Sequence, residues 1–315
     1  MRIVFFGSSD FAVDVLEKLA GNEEVCLVVT QPDRQKGRAL KTASTPIKSK
    51  AEKLGIKVFQ PVKVNSEESI SALKNINADL FVVVSFGQIL SGKALSLPRL
   101  YCLNVHASLL PLYRGAAPIN RAIANGEKET GVTIMRMNEK MDEGDIILKE
   151  KLRIREDDDA VALSKKLSAK GAGLLADAIG LIKNERVEFI AQDSAKATYA
   201  PKLKKEDGLI DWKYGADEIC NRIRAFVPWP GCFIYLDKKI LKIWKACPAG
   251  HLIDKKPEPG TVLEAGKKGI SIETGKGVLR IEELQLEGSR RMTAEEFLAG
   301  HKQFSPGVSL QNKYY

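Results

Sequence analysis

Two unbroken apolar runs, RIVFFGS at residues 2–8 and VCLVVT at 25–30, flank DFAVDVLEKLAGN, whose apolar positions recur at helical spacing. Strand, helix and strand in that order make one βαβ unit. The pattern continues with a helix near 46–54, a strand at KVFQ, a helix near 66–75, the apolar run DLFVVVSF at 79–86 and a strand at CLNVHA. Strands that are apolar without alternation, separated by helices, imply a parallel sheet covered on both faces. This predicts a doubly wound, Rossmann-like α/β domain that binds ligands at the carboxyl ends of its strands. Further on, DDDAVALSKKLSAKGAGLLADAIGLIKN is spaced as a long amphipathic helix with Asp157 or Asp158 as its cap. The triplet Asp157 to Asp159 reads as charge favoured at a helix N-terminus, not as a metal site.

From 186 to 206 the periodicity loosens into a polar, Lys-rich stretch ending in KLKKEDG, the expected connection between domains across the surface. Beyond it, one helix near 215–226 precedes FIYLDKKILKIWKA and GTVLEAGKKGISIETGKGVLRIEELQ, short strands punctuated by Gly and Lys. These predict a smaller C-terminal OB-like β-barrel. The expected division is an α/β domain over 1–185, a linker over 186–206 and the barrel domain over 207–315.

Composition narrows the class. With 315 residues, 44% of them hydrophobic and 28% charged, the chain has the balance of a soluble globular protein of one large or two ordinary domains. No apolar run approaches the ~18 residues of a spanning helix. Met1 and Arg2 lead straight into a strand with no signal pattern, so a cytoplasmic location is expected. The five cysteines are odd in number and lack C-x-x-C spacing, which argues against a disulfide framework and a zinc site, and for reduced, mostly buried thiols. A net charge of +9 suits a polyanionic partner. Its distribution is uneven: 29 basic against 25 acidic residues over 1–200, and 20 against 15 over the shorter 201–315.

Gly7 sits at the first strand-to-helix turn, but GSSD lacks the G-x-G-x-x-G spacing of dinucleotide sites, which disfavours a nicotinamide enzyme, and Asp10 reads as a helix N-cap. Chemistry is concentrated instead in YCLNVHASLLPLYRGAAP at 101–118, where a strand runs into a Pro/Gly-rich loop. Asn104 and His106, two positions apart on an extended backbone, share a face and can converge on one carbonyl. The amide can donate to a developing oxyanion and the imidazole can exchange a proton, an acyl-transfer arrangement. Asp142, in the polar turn NEKMDEGDIIL, is the candidate third member, since a carboxylate beside an imidazole fixes its tautomer and favours its charged form. Taken alone, Asn-x-His at a strand end also fits a turn with a satisfied histidine.

The strings NVHASLLP, YRGAAPIN, TGVTIM and MDEGDIIL, with IVFFGSSDFA before them and IRAFVPWPG after, resemble the 10-formyltetrahydrofolate-dependent formyltransferases over nearly the whole chain. The resemblance implies a formyltransferase fold for the first domain, with Asn104, His106 and Asp142 as catalytic residues. It places Ser108, Leu109, Leu110 and Pro111 against the folate, with Phe86 as a candidate neighbour of the pterin. It also implies 10-formyltetrahydrofolate as donor, no metal, and the turn at Gly7 on the donor side.

The likeness is closest to members whose acceptor is methionine esterified to initiator tRNA. The basic segment 30–53, long for a βα connection, fits that acceptor, with Arg38 matching an arginine linked to the acceptor stem and Arg34, Lys36 and Lys41 beside it. A solvated mobile loop is the plain alternative. The C-terminal barrel would bind tRNA through lysines such as Lys238, Lys239, Lys242 and Lys245, although lysines alternating with apolar positions are also the wet face of a strand. Trp244 is expected in the barrel core, and Phe226, Pro228, Trp229 and Pro230 in a rigid apolar turn at a domain interface. Rival readings are a formyltransferase for a small amine such as an amino-sugar nucleotide or glycinamide ribotide, a formyl-folate hydrolase, and a non-catalytic RNA-binding protein on the same fold. A monomer without membrane contact is expected.

Overall fold

A computed structural model of the chain describes residues 1–36, 41–236, 238–250, 257–301 and 304–310. They form two compact units, one of residues 1–118, 129–153 and 163–200, the other of 119–128, 154–162 and 201–315.

In chain order the elements up to the long helix are β1 (Arg2–Gly7), α1 (Val13–Asn22), β2 (Glu24–Val29), β3 (Arg34–Lys36), β4 (Lys41–Ala43), α2 (Pro46–Lys53), β5 (Val58–Phe59), α3 (Glu67–Lys74), β6 (Leu80–Val84), α4 (Gly92–Leu95), β7 (Tyr101–His106), α5 (Pro118–Ala124), β8 (Glu129–Arg136), β9 (Ile146–Arg153) and α6 (Ala160–Lys183). The main sheet of the first unit runs β5-β2-β1-β6-β7-β8-β9. Its first five strands are parallel, as the unalternated apolar runs predict, and every residue of β6 is buried. The sheet is not parallel throughout, because β8 pairs antiparallel with β7 and β9 antiparallel with β8. Both antiparallel strands lie at one edge, where β9 is largely exposed along its outer half. Val4, Phe6, Phe81, Val83, Ile70 and Leu73 fill part of the core on one side. Helix α6 approaches β7 closely because Gly171 has no side chain: a Cβ there would lie 2.9 Å from Val105 Cγ1.

Helix starts differ in detail from expectation. Asp10 opens a short 3-10 turn, Asp10–Ala12, and neither Ser9 before it nor Ala12 at the start of α1 caps through a side chain. For α6 the cap falls on Asp159, whose Oδ1 accepts the Ala162 N–H at 2.8 Å. Asp158 is buried and closes the preceding turn by accepting from the Arg155 N–H. The triplet therefore divides between a turn and a cap. The basic segment 30–53 is partly regular: β3 and β4 form an antiparallel hairpin, and Thr45 caps α2 by accepting from the Lys48 N–H.

Residues 186–200, expected as part of a surface linker, bond into the first unit. Ile190 exchanges backbone hydrogen bonds with Ile146, and the Phe189 ring packs edge-on against Tyr101 beneath the Arg136 guanidinium. Its polarity reflects side chains that bind loop backbone instead of filling a core, which hydrophobic periodicity cannot register.

The second unit contains α7 (Ala216–Ala225), β10 (Cys232–Leu236), β11 (Lys239–Ala249), β12 (Val262–Gly266), β13 (Gly269–Glu273), β14 (Val278–Leu286), β15 (Met292–Thr293) and α8 (Ala294–Gly300). Its antiparallel sheet runs β10-β11-β14-β13-β12, with β15 added to β14. Helix α7 buries Ala216, Ile219 and Ile223 at helical spacing, and α8 begins with a Thr293/Glu296 capping box. Trp244 is not in the core: Leu241 and Ile243 are buried, whereas Trp244 is half-buried, donates from Nε1 to Gln285 and has Lys242 and Arg291 over its ring. In the apolar turn after α7, Phe226 is buried but Trp229 is 53% exposed. Among the described residues no helix is long and apolar enough to cross a membrane.

Candidate active site

The register of β7 sets the first two groups. Asn104 lies opposite Met135 and His106 opposite Thr133 on β8, and His106 is the last residue of its strand, at the carboxyl edge of the parallel strands. The loop that carries Asp142 is pinned where it leaves and rejoins the sheet. There the Met137 N–H donates to Cys102 O at 2.7 Å and the Arg136 N–H to Asp145 O at 2.8 Å. Between these roots the chain turns sharply, with Asp142 at φ 54°, a left-handed conformation that Asp tolerates better than most residues. Gly144 is required two positions later, since a Cβ would lie 1.7 Å from Arg136 O.

The three predicted residues meet. Asp142 Oδ1 accepts from Asn104 Nδ2 at 3.3 Å, and Oδ2 lies 3.6 Å from His106 Nδ1 while accepting from the Gly115 N–H at 2.8 Å. His106 is buried, and its Nε2 is 3.0 Å from Tyr113 O. A carbonyl only accepts, so Nε2 carries a proton and Nδ1 faces the carboxylate. At 3.6 Å the Nδ1–Oδ2 separation exceeds a hydrogen bond, which leaves Nδ1 open to a reacting group.

Residues 108–111 are held from behind. Thr133 Oγ1 donates to Ser108 O at 2.7 Å and accepts from the Leu110 N–H at 3.1 Å, while the buried Ser108 hydroxyl donates to Leu112 O. Leu110 is buried and Leu109 half-buried. Leu112 and Met141, 40% and 60% exposed, flank the site with apolar surface. Phe86 is a core residue, 2% exposed and packed edge-on against Phe6, so its ring is not part of that surface.

Sequence reasoning missed Tyr113 and Gly115, which act through backbone atoms that no residue type announces. Thr133 and Gln192 were also missed; Thr133 lies inside TGVTIM, one of the strings that carry the resemblance, which was the available signal, and the structure sets it opposite His106. Of the basic residues, Arg34 is exposed and donates to Gln31, whereas Lys48 pairs with Asp33 and Lys50 with Glu17. Arg38 lies outside the described residues, and of Lys36 and Lys41 only the backbone is described.

The comparisons with known proteins agree along the whole chain. Residues 1–179 match the family described as Formyl transferase and residues 202–302 that described as Formyl transferase, C-terminal domain. A methionyl-tRNA formyltransferase of Geobacter metallireducens is 46% identical over 311 residues, 98% of this chain and 98% of its own. Another, from Caldanaerobacter subterraneus subsp. tengcongensis, is 47% identical over 303 residues, 96% of this chain and 97% of its own. Among solved structures, a sugar 3N-formyl transferase crystallised with dTDP and 5-N-formyl-THF superposes with a TM-score of 0.67 at 22% identity, covering 92% of this chain and 99% of that one. An N-formyltransferase from Helicobacter canadensis gives 0.66 at 22%, covering 93% and 100%. At such identity the two structures share the fold alone. The full-length relatives carry both domains in the same order with nearly half of all residues unchanged, and the chain belongs to the methionyl-tRNA formyltransferase family.

Proposed function

We propose that Asn104, His106 and Asp142 carry the transfer of a formyl group from 10-formyltetrahydrofolate to the α-amino group of methionine esterified to initiator tRNA. The observation that carries this reading is the convergence of Asn104 and His106 on the Asp142 carboxylate, with His106 Nδ1 facing it. The donor supplies a formyl carbon bonded to nitrogen. A free α-amino group titrates near 7.7 to 8.0, so a neutral fraction capable of attack exists at pH 7.

The tetrahedral intermediate is the costly species, and the residues address its two charges. Asn104 spends one N–H on Asp142 and keeps a second for the oxyanion. Both oxygens of Asp142 already accept N–H groups, whereas His106 Nδ1 does not, so Nδ1 takes the proton that the amine loses and returns it to the departing nitrogen. The Asp142 carboxylate offsets the positive charge that develops on the ring in between. The new C–N bond and the broken one thus exchange a single proton through one imidazole.

Leu109, Pro111 and the apolar faces of Leu112 and Met141 fit the flat, largely apolar body of a folate, while the buried Leu110 packs behind them and Ser108 orders the turn that presents them. The hairpin strands with Arg34, Lys36 and Lys41, together with Arg38 between them in sequence, supply positive charge for tRNA phosphates.

The test is transfer of labelled formyl to charged initiator methionyl-tRNA, with glycinamide ribotide and an amino-sugar nucleotide as competing acceptors. Label is expected on the tRNA-linked methionine, with kcat reduced on the order of 10²- to 10³-fold in Asn104→Ala and product lost in His106→Ala. Label on a small acceptor would overturn the acceptor, and unchanged rates in both variants would overturn the site.

A further inference from the structure

We infer that Gln192 is a positioning residue for this reaction, acting through the backbone of the Asp142 turn. The inference rests on the role proposed for Asp142. Gln192 Nε2 donates to Asp142 O at 2.9 Å and to Gly144 O at 2.7 Å, while its Oε1 accepts from Arg114 Nε at 3.0 Å and Nη2 at 2.9 Å. The third guanidinium nitrogen, Nη1, pairs with Glu143 Oε1 at 3.2 Å. Three successive residues, 142, 143 and 144, are therefore each tied to one Gln192–Arg114 unit.

That unit is itself anchored. Arg114 is 2% exposed, its N–H donates to Thr198 O and its carbonyl accepts from the Ala200 N–H. The residue that follows it, Gly115, gives its N–H to Asp142 Oδ2. The clamp thus fixes the left-handed Asp142 backbone and the donor to its carboxylate from the same arginine. Only an amide satisfies both sides of position 192. A carboxylate would still accept from Arg114 but would set an oxygen against two carbonyls, and an apolar side chain would take away the partner of Arg114 Nε and Nη2 and of both carbonyls.

Full-length Gln192→Glu and Gln192→Leu are compared with the unaltered enzyme, each alone and combined with Asp142→Asn. Thermal midpoint, kcat and KM for both substrates are the readouts. Gln192→Glu keeps the Arg114 partner and is expected to fold with a near-normal midpoint. It should lower kcat about 10- to 100-fold, as displacement of a catalytic group by about 1 Å does, with each KM within about twofold. In the Asp142→Asn background the same change is expected to cost nothing further, since its effect passes through that carboxylate. Gln192→Leu should add a loss of stability, and if it does not fold the Glu variant still decides. Equal losses of kcat in both backgrounds, or a lowered midpoint with unchanged kcat, would overturn the positioning role. Unchanged kcat in Asp142→Asn alone would instead overturn the reading of the site.

Discussion

At Gly144 a hydrogen atom stands where any other residue would drive a carbon to 1.7 Å from a carbonyl oxygen, and Asp142 two positions earlier depends on the turn that this close approach permits. Neither neighbour can move cheaply, because Arg136 is a strand residue whose N–H already pins the loop to Asp145. Gly144→Ala is expected to cost at least about 1–3 kcal/mol, the range for overpacking, and to lower kcat. Chemical denaturation and steady-state transfer measure the two effects. At this scale the side chains of the site were legible and their backbone partners were not. Asn104, His106 and Asp142 offer donor, base and carboxylate chemistry that the family resemblance singles out, but the Tyr113 carbonyl and Gly115 N–H belong to every chain and gain meaning only where the fold points them. Gln192 was hidden for a related reason, since a polar residue in a polar stretch has no periodicity to mark it.

The elements followed their local patterns closely, since apolar strands and amphipathic helices are written in spacing. Helix α3 was expected near 66–75 and spans Glu67–Lys74, while α7 was expected near 215–226 and spans Ala216–Ala225. Strand direction is not written there, because a period of two reads the same both ways, and so β8 and β9 proved antiparallel within a sheet expected to be parallel. Position on an element also decides electrostatics. Burial alone would push Asp207 upward, but the Lys204 N–H and the Arg121 guanidinium outweigh it and hold the carboxyl below its ordinary value. A carboxyl lowered in the folded state contributes stability that is full above the unfolded value, about 3.9, and is lost as pH falls through the folded value. Arg121→Gln is therefore expected to flatten the acid limb of the thermal midpoint against pH below about pH 4, with little change at neutrality in the slope of that curve. An acid limb as steep as that of the unaltered protein would count against the pair.

Across the whole molecule the five cysteines are free thiols, two of them buried. Burial pushes the Cys102 thiol far up, and pushes Cys220 and Cys232 to about 12, so each remains protonated and unreactive at neutral pH. Brief treatment of the native protein with iodoacetamide is expected to spare Cys102, Cys220 and Cys232, while denaturant exposes all five; peptide mass spectrometry reads the sites. By itself the sequence determined the two-part α/β and β organisation, because hydrophobic spacing is a local property of the chain, and its motifs carried the family resemblance from which the formyltransferase chemistry and the three proposed side chains followed. Tertiary structure alone decided the antiparallel edge of the sheet, the withdrawal of Phe86 into the core and the half-buried place of Trp244 outside the barrel core. It alone also brought residues 186–200 against the Asp142 loop, since which backbone groups meet depends on contacts between segments far apart in sequence.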